Sequence, residues 1–207
     1  MKSFKHIISY ACDKRCSYCI NEILKHDEKQ CKDEVQIGQK YSELALDGYD
    51  HIMLSGGEPV LNKMFEKCLL KSYLYFEQVS IISAHKKTLS HEMIEYLATD
   101  VLFSFHAEYL SNVDELKVEI DVPVYASMIV ETYDILAERY VDVIRFFKEL
   151  GYSGMTIREC YPDGKAFEGD IPEDPDFSVR IYKKERCVED TLLLLPDLST
   201  TTQEQFA

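Results

Sequence analysis

The chain has 207 residues, 46% of them apolar and 29% charged, enough for one domain with a substantial core and short for two. Its 37 acidic residues outweigh 23 basic ones, and the formal charge of −14 sets a long phosphate backbone against net repulsion, so direct binding to long nucleic acid is not expected. No run approaches the roughly 18 to 20 apolar residues of a membrane span. Met1-Lys2-Ser3-Phe4 leads straight into apolar sequence, and the seven cysteines show no pairing pattern. The expected setting is therefore a reducing cytoplasm, with neither signal peptide nor disulfide framework. Local basic clusters such as His85-Lys86-Lys87 and Lys183-Lys184 read as solvated surface charge, with phosphate docking as the alternative.

In chain order, residues 5 to 10 read as a short buried strand, followed by a cysteine-rich loop. From Asp33 to Leu46, Val35, Ile37, Tyr41, Leu44 and Ala45 recur at helical spacing, with Gly48 as a stop. His51 to Leu54 is a second strand, and Lys63 to Phe76 a helix. Val79 to Ser83 is a third strand, and Ser90 is placed to cap a helix ending near Ala98. Val101 to His106 is a fourth strand; a short helical piece over 112–116 leads to a fifth strand within 119–130. Asp134 to Leu150 carries the longest helix signal, ended by Gly151, and Gly154 to Glu159 is a sixth strand. Strands alternating with helices at this spacing imply right-handed βαβ units and a parallel sheet. Six units fit a partial, open (β/α)6 TIM-like barrel, since the closed eight-unit barrel takes about 250 residues. Beyond Tyr161 the Pro- and Gly-marked sequence predicts a long irregular connection, an edge strand over 178–183, a brief apolar stretch at 192–195 and a frayed polar tail from Ser199.

Cys12, Cys16 and Cys19 stand in C-x3-C-x2-C spacing at the end of the first strand. Thiolates this close on a tight loop can turn toward one point, as a metal cluster requires. A structural zinc site wants a fourth ligand nearby, and the candidates His26 and Cys31 fall at no familiar spacing. Three ligands on a four-iron cluster leave one iron open for chemistry; a non-catalytic metal-binding module is the competing reading. In Ser55-Gly56-Gly57-Glu58-Pro59 the glycines permit close backbone approach to a ligand or positive φ, Glu58 adds an acceptor, and Pro59 stiffens the exit. A plain strand-to-helix turn is the alternative. Both motifs follow strands and point to the C-terminal face, where parallel barrels work.

Together, Cys12, Cys16, Cys19, Tyr18 and Gly56-Gly57-Glu58-Pro59 resemble the radical S-adenosylmethionine (SAM) enzymes, over roughly residues 5 to 160. The resemblance implies a core domain over 1–161 and a C-terminal extension, 162–207, packing on it. It implies that the three cysteines hold a [4Fe-4S] cluster whose open iron is chelated by SAM, and that Gly56 to Pro59 meets the SAM amino group. Tyr18 would lie near the adenine, and Ser83 toward the ribose or carboxylate. Reductive cleavage of SAM would give a 5′-deoxyadenosyl radical that abstracts hydrogen from a small molecule or nucleoside. A glycyl-radical-type activating enzyme acting on a partner protein is the alternative within the family. An electron source of flavodoxin or ferredoxin type is implied, with Lys14 and Arg15 as its expected docking charges. Around the substrate, His106 reads as a positioning or acid–base group, Arg158 as a carboxylate holder and Cys160 as a hydrogen donor. Their plainer alternatives are a hydrogen-bonded strand-end histidine, an ion pair with Glu159 and an inert buried thiol.

Overall fold

The computed structural model describes residues 1–14, 33–105, 113–130, 133–159, 176–182 and 192–202. Among the described residues nine strands form one sheet: β1 (Ser3–Ile7), β2 (His51–Ser55), β3 (Gln78–Ser83), β4 (Asp100–Phe105), β5 (Val124–Val130), β6 (Gly154–Glu159), β7 (Ser178–Tyr182), β8 (Leu192–Leu194) and β9 (Thr200–Thr202). Their order is β7-β6-β5-β4-β3-β2-β1-β8-β9. Every pairing from β7 across to β8 is parallel, and β9 returns antiparallel to β8. Among the described residues the α-helices are α1 (Glu34–Leu46), α2 (Phe65–Tyr75), α3 (Glu92–Leu97) and α4 (Tyr133–Glu149). The expected α/β class with a partial, barrel-like parallel sheet is what the chain adopts.

Local sequence explains the element ends. Asp33 caps α1, its carboxylate accepting from Val35 N at 2.9 Å, and Ile37, Tyr41 and Leu44 bury one stripe against the sheet. Gly48, at φ +84°, turns the chain out of that helix. On α2 the stripe is Phe65, Cys68, Leu69 and Ser72, which makes Cys68 a core residue. Between α1 and the sheet, Phe4 meets Tyr41, Tyr49 and Phe76 edge-on, with centroids 5.2 to 6.4 Å apart. Each such buried ring contributes about 1.5 to 3 kcal/mol through the apolar surface removed from water.

Two expectations need correction. Ser90 does not cap α3: it closes a 3₁₀ turn, Lys86–Ser90, anchored by buried Thr88 and Leu89, and the helix begins after His91. Nor does the chain fray at Ser199. Thr200–Thr202 pair with Leu192–Leu194, because β-branched threonines suit a strand and a tight turn at Leu195–Ser199 fixes the register. That hairpin lies beside β1, on the opposite edge of the sheet from β7. The burial of Tyr10 and the charge of Asp197 both raise the Tyr10 phenol above its ordinary pKa.

Candidate active site

The site begins where β1 runs out. Parallel pairing with β2 carries on past the last strand residue: Ile8 N donates to Ser55 O at 2.9 Å, Gly57 N to Ser9 O at 2.6 Å, and Glu58 N to Ala11 O at 2.8 Å. The Ser9 hydroxyl accepts from Ala11 N at 3.0 Å and bends the segment into the loop that carries Cys12. The approach is so close that a Cβ on Gly57 would stand 2.1 Å from Ala11 O and 2.6 Å from Tyr10 O. One on Gly56, which has φ +148°, would stand 2.5 Å from Ser9 O. The glycines thus serve a close approach between two segments of the chain itself.

Glu58 is buried and its carboxylate is fully engaged. Ser83 Oγ donates to one oxygen at 2.6 Å and Ala84 N to the other at 2.9 Å. With its proton given to Glu58, the Ser83 hydroxyl accepts from Thr88 Oγ1 at 2.5 Å and from His85 N at 3.1 Å. Burial pushes the Glu58 carboxyl above its ordinary value, while Ser83, Ala84, Lys14 and Val60 work to hold it down. Glu58 therefore ties the end of β2 to the end of β3. Lys14 adds a second tie: its ammonium donates to the Ala84 carbonyl, binding the cysteine loop to the same turn. The ammonium expected as a docking charge is thus bonded to a carbonyl of the chain itself.

Cys12 is exposed and lines a cleft of about 680 Å³ together with Ser9, Asp13, Glu58, Asn62 and Lys63. Lys14 N donates to Cys12 Sγ at 3.4 Å, and the Cys12 thiol faces Asp13 Oδ1 as a donor at 3.9 Å. Asp13 reaches His85 at 3.9 Å. Burial holds the His85 imidazolium below its ordinary pKa; Asp13 opposes this, and the ammonium groups of Lys87, Lys14 and Lys86 add to it.

Among the residues singled out from sequence, the structure brings together Cys12, Gly56, Gly57, Glu58, Pro59 and Ser83 at the C-terminal ends of β1, β2 and β3. Ser83 is buried behind Glu58. Arg158 occupies β6 in register with Ile129 of β5 and Tyr182 of β7, and nothing is described of its side chain. Cys16, Tyr18, Cys19, His106, Cys160, Arg15, His26 and Cys31 lie outside the described residues. The sequence reading did not find the supporting groups Ser9, Lys14 and Thr88. The carbonyl that Lys14 meets is supplied by tertiary folding, whereas Ser9, accepting from Ala11 N, and Asn62, accepting from Met64 N at 2.8 Å, each have a partner two positions on and so carried a local signal.

The structure is similar to that of SuiB from Streptococcus suis bound to S-adenosylmethionine, with a TM-score of 0.70 and 11% identity, covering 99% of this chain and 63% of SuiB. The chain shares the fold of SuiB. SuiB bound to its precursor peptide SuiA gives a TM-score of 0.68 at 11% identity, over 99% of this chain and 62% of that one. The chain spans less than two thirds of SuiB's length. No family model and no curated protein sequence matches it.

Among the described residues, an exposed thiol on the wall of a cleft, with an N–H donating to its sulfur, suits a thiolate ligand to a metal group with room for a small ligand beside it.

Proposed function

We propose that the chain is a radical SAM enzyme. Cys12, Cys16 and Cys19 hold a [4Fe-4S] cluster, and the segment Gly56 to Pro59, with Tyr18 and Ser83, forms the SAM pocket. The observation that carries this reading is the seam between the cysteine loop and the Gly-Gly-Glu segment, two motifs joined by backbone hydrogen bonds of 2.6 and 2.8 Å at the mouth of a fold shared with a SAM-bound protein. When bound, the cluster and SAM supply one-electron cleavage of the sulfonium to methionine and a 5′-deoxyadenosyl radical, which takes hydrogen from the substrate.

The chain's own residues position and shield. Glu58, Ser83 and Ala84 fix the ends of β2 and β3 against each other, and Lys14 holds the loop over them. Each is made rigid by partners outside the ligand, so the pocket is formed before SAM arrives. His106, Arg158 and Cys160 are the residues proposed to meet the substrate, from the ends of the fourth and sixth strands. The substrate is proposed to be a small molecule or nucleoside. A polypeptide substrate is the second reading, favoured by the solved complex of SuiB with its precursor peptide.

Anaerobic reconstitution with iron and sulfide, followed by SAM and dithionite, tests the proposal. Formation of 5′-deoxyadenosine and methionine is expected, and its loss in Cys12→Ala, Cys16→Ala and Cys19→Ala. Retention of zinc with no SAM cleavage would overturn the proposal in favour of a metal-binding module.

A further inference from the structure

We propose that Ser104, Ser127 and Thr156, three hydroxyls in one row across the inner side of the sheet, bind a neutral, polyhydroxylated six-membered ring, a sugar or a cyclitol, as the substrate. The inference rests on the radical SAM reading and adds to it the class of molecule and the residues that select it.

Strand register sets the row. Ser104 of β4 is the direct partner of Ser127 of β5, and Ser127 that of Thr156 of β6. Phe105, the neighbour of Ser104, packs edge-on against Phe147 of α4 with centroids 5.2 Å apart, and the register partners Ala126 and Met155 lie in the hydrophobic core. Alternation along the strands therefore turns the three hydroxyls to the side away from the helices. The row reaches the candidate active site. Ser83 is the partner of Phe103, so the residues that follow, Ala84 and Ser104, stand side by side, and Ala84 is the residue to which Glu58 and Lys14 bond.

The fold does not use these hydroxyls. Ser127 and Thr156 are each only 3% exposed, yet among the described residues neither side chain has a hydrogen-bond partner. The described polar atoms that are both sealed and unpartnered are His91 Nδ1 and Tyr152 OH, so the Ser127 and Thr156 oxygens are open on the side that faces away from the core. A buried hydroxyl without a partner destabilises the fold, and a ligand that bonds to it offsets that cost.

The chemistry of the row selects the ligand. Hydroxyls donate and accept, so they match groups that do the same, and these three carry no charge to hold an ion. Neighbouring strands lie about 4.8 Å apart, so the row spans about 10 Å. That is about the width of one six-membered ring with its hydroxyls, whose alternate oxygens stand about one strand spacing apart. An extended peptide offers groups on one side only about every 7 Å, and a ribose offers two adjacent hydroxyls, so neither matches three strands. Two residues earlier on the same side, Tyr125 lies against Gly154, its Cδ1 2.9 Å from where a Gly154 Cβ would stand. The ring gives the row an aromatic floor for the C–H face of a sugar.

The test is saturation-transfer NMR on the cluster-free full chain, with myo-inositol and methyl glucoside as probes and tetraalanine and SAM as comparisons. Wild type, Ser127→Ala and Thr156→Val are compared. Both hydroxylated rings should bind saturably, and each substitution should weaken them about three- to tenfold, as loss of one hydrogen bond does. Urea midpoints of the two variants should equal or exceed that of the wild type, because no bond within the chain is lost.

No saturable binding of either ring by the wild type overturns the proposal, as does binding that neither substitution weakens. A lowered urea midpoint also overturns it, by assigning the hydroxyls to the fold. Preference for tetraalanine would give the row to a peptide, and weakened SAM binding with the rings unaffected would give it to the SAM pocket; either result overturns the sugar class. Reductive SAM cleavage by the reconstituted protein is measured separately. A chain that cleaves SAM but binds neither ring overturns the row alone. A chain that binds the rings as expected yet takes up no cluster overturns the enzyme reading and leaves a sugar-binding site.

Discussion

Replacing Gly57 by alanine is the sharpest test of how the site is built. The added Cβ would stand 2.1 Å from Ala11 O, 2.5 Å from Ala11 C and 2.6 Å from Tyr10 O, all backbone atoms that no rotamer change can move aside. The chain can relieve this only by parting the two segments, which breaks Gly57 N to Ser9 O and Glu58 N to Ala11 O. Two such bonds contribute about 1 kcal/mol each, and the remaining overpacking costs about 1 to 3 kcal/mol. The expected loss is about 3 to 5 kcal/mol, a large share of the roughly 5 to 15 kcal/mol that holds a domain folded. Gly48→Ala is the control. Gly48 also has a left-handed φ, +84°, but its Cβ would meet nothing within 4 Å, so its cost is the backbone strain alone, about 1 to 2 kcal/mol. Urea unfolding of the cluster-free protein measures both. Amide exchange should locate the Gly57→Ala damage at Ile8 to Ala11 and at Gly57 to Glu58. If Gly57→Ala costs no more than Gly48→Ala, the seam is looser than these distances require and the argument for a preformed pocket is wrong.

Two further outcomes follow from buried groups. Glu58→Gln keeps the shape but sets an amide N–H₂ against Ser83 Oγ or Ala84 N, both of which donate to Glu58, and should cost about 1 to 3 kcal/mol in the absence of SAM or cluster. Unchanged urea stability of the cluster-free variant, with SAM binding lost, would mean that Glu58 serves the ligand alone. His6 is buried in β1 against the Tyr41 hydroxyl at 2.6 Å, and burial lowers its pKa to about 3. The folded chain keeps this imidazole neutral while the unfolded chain protonates it near 6.5. Its stabilising contribution is therefore complete above pH 6.5 and declines as the pH falls toward 3. Between pH 7.5 and 5.5 the wild type should lose about 1.4 kcal/mol more than His6→Gln, by urea midpoints at the two pH values. Parallel losses in the two proteins would show that His6 takes up its proton in the fold.

What could be read from the sequence was what local spacing encodes. The alternation of apolar strands with helical stripes placed β1 to β6 and the four helices within a few residues, because burial on a parallel sheet imposes those periods. The C-x3-C-x2-C and Gly-Gly-Glu-Pro motifs were visible because their residues are neighbours in the chain. What was not legible depends on contacts between distant segments. Lys14 finds the Ala84 carbonyl 70 positions away, and nothing near Lys14 distinguishes it from the docking charge that the sequence suggested. The pairing of β8 with β1, and of Thr200–Thr202 with β8, likewise depends on which edge of the sheet remains open.

The Gly-Gly-Glu segment shows why such contacts matter for function. Its residue types suggested a surface offered to a ligand, yet the N–H groups of Gly57 and Glu58 and both carboxylate oxygens of Glu58 are bonded within the chain. A ligand that had to order this segment would lose binding energy in doing so. With the segment already joined to the cysteine loop on one side and to the β3 turn on the other, the cleft wall stands before anything enters it. The same joints carry a displacement at any one of the three strand ends to the other two. Substitutions at Gly57, Glu58 or Ser83 are therefore expected to disturb the loop of Cys12 even though none of them is a cysteine, and the urea and exchange measurements on cluster-free protein detect that disturbance before any chemistry is assayed.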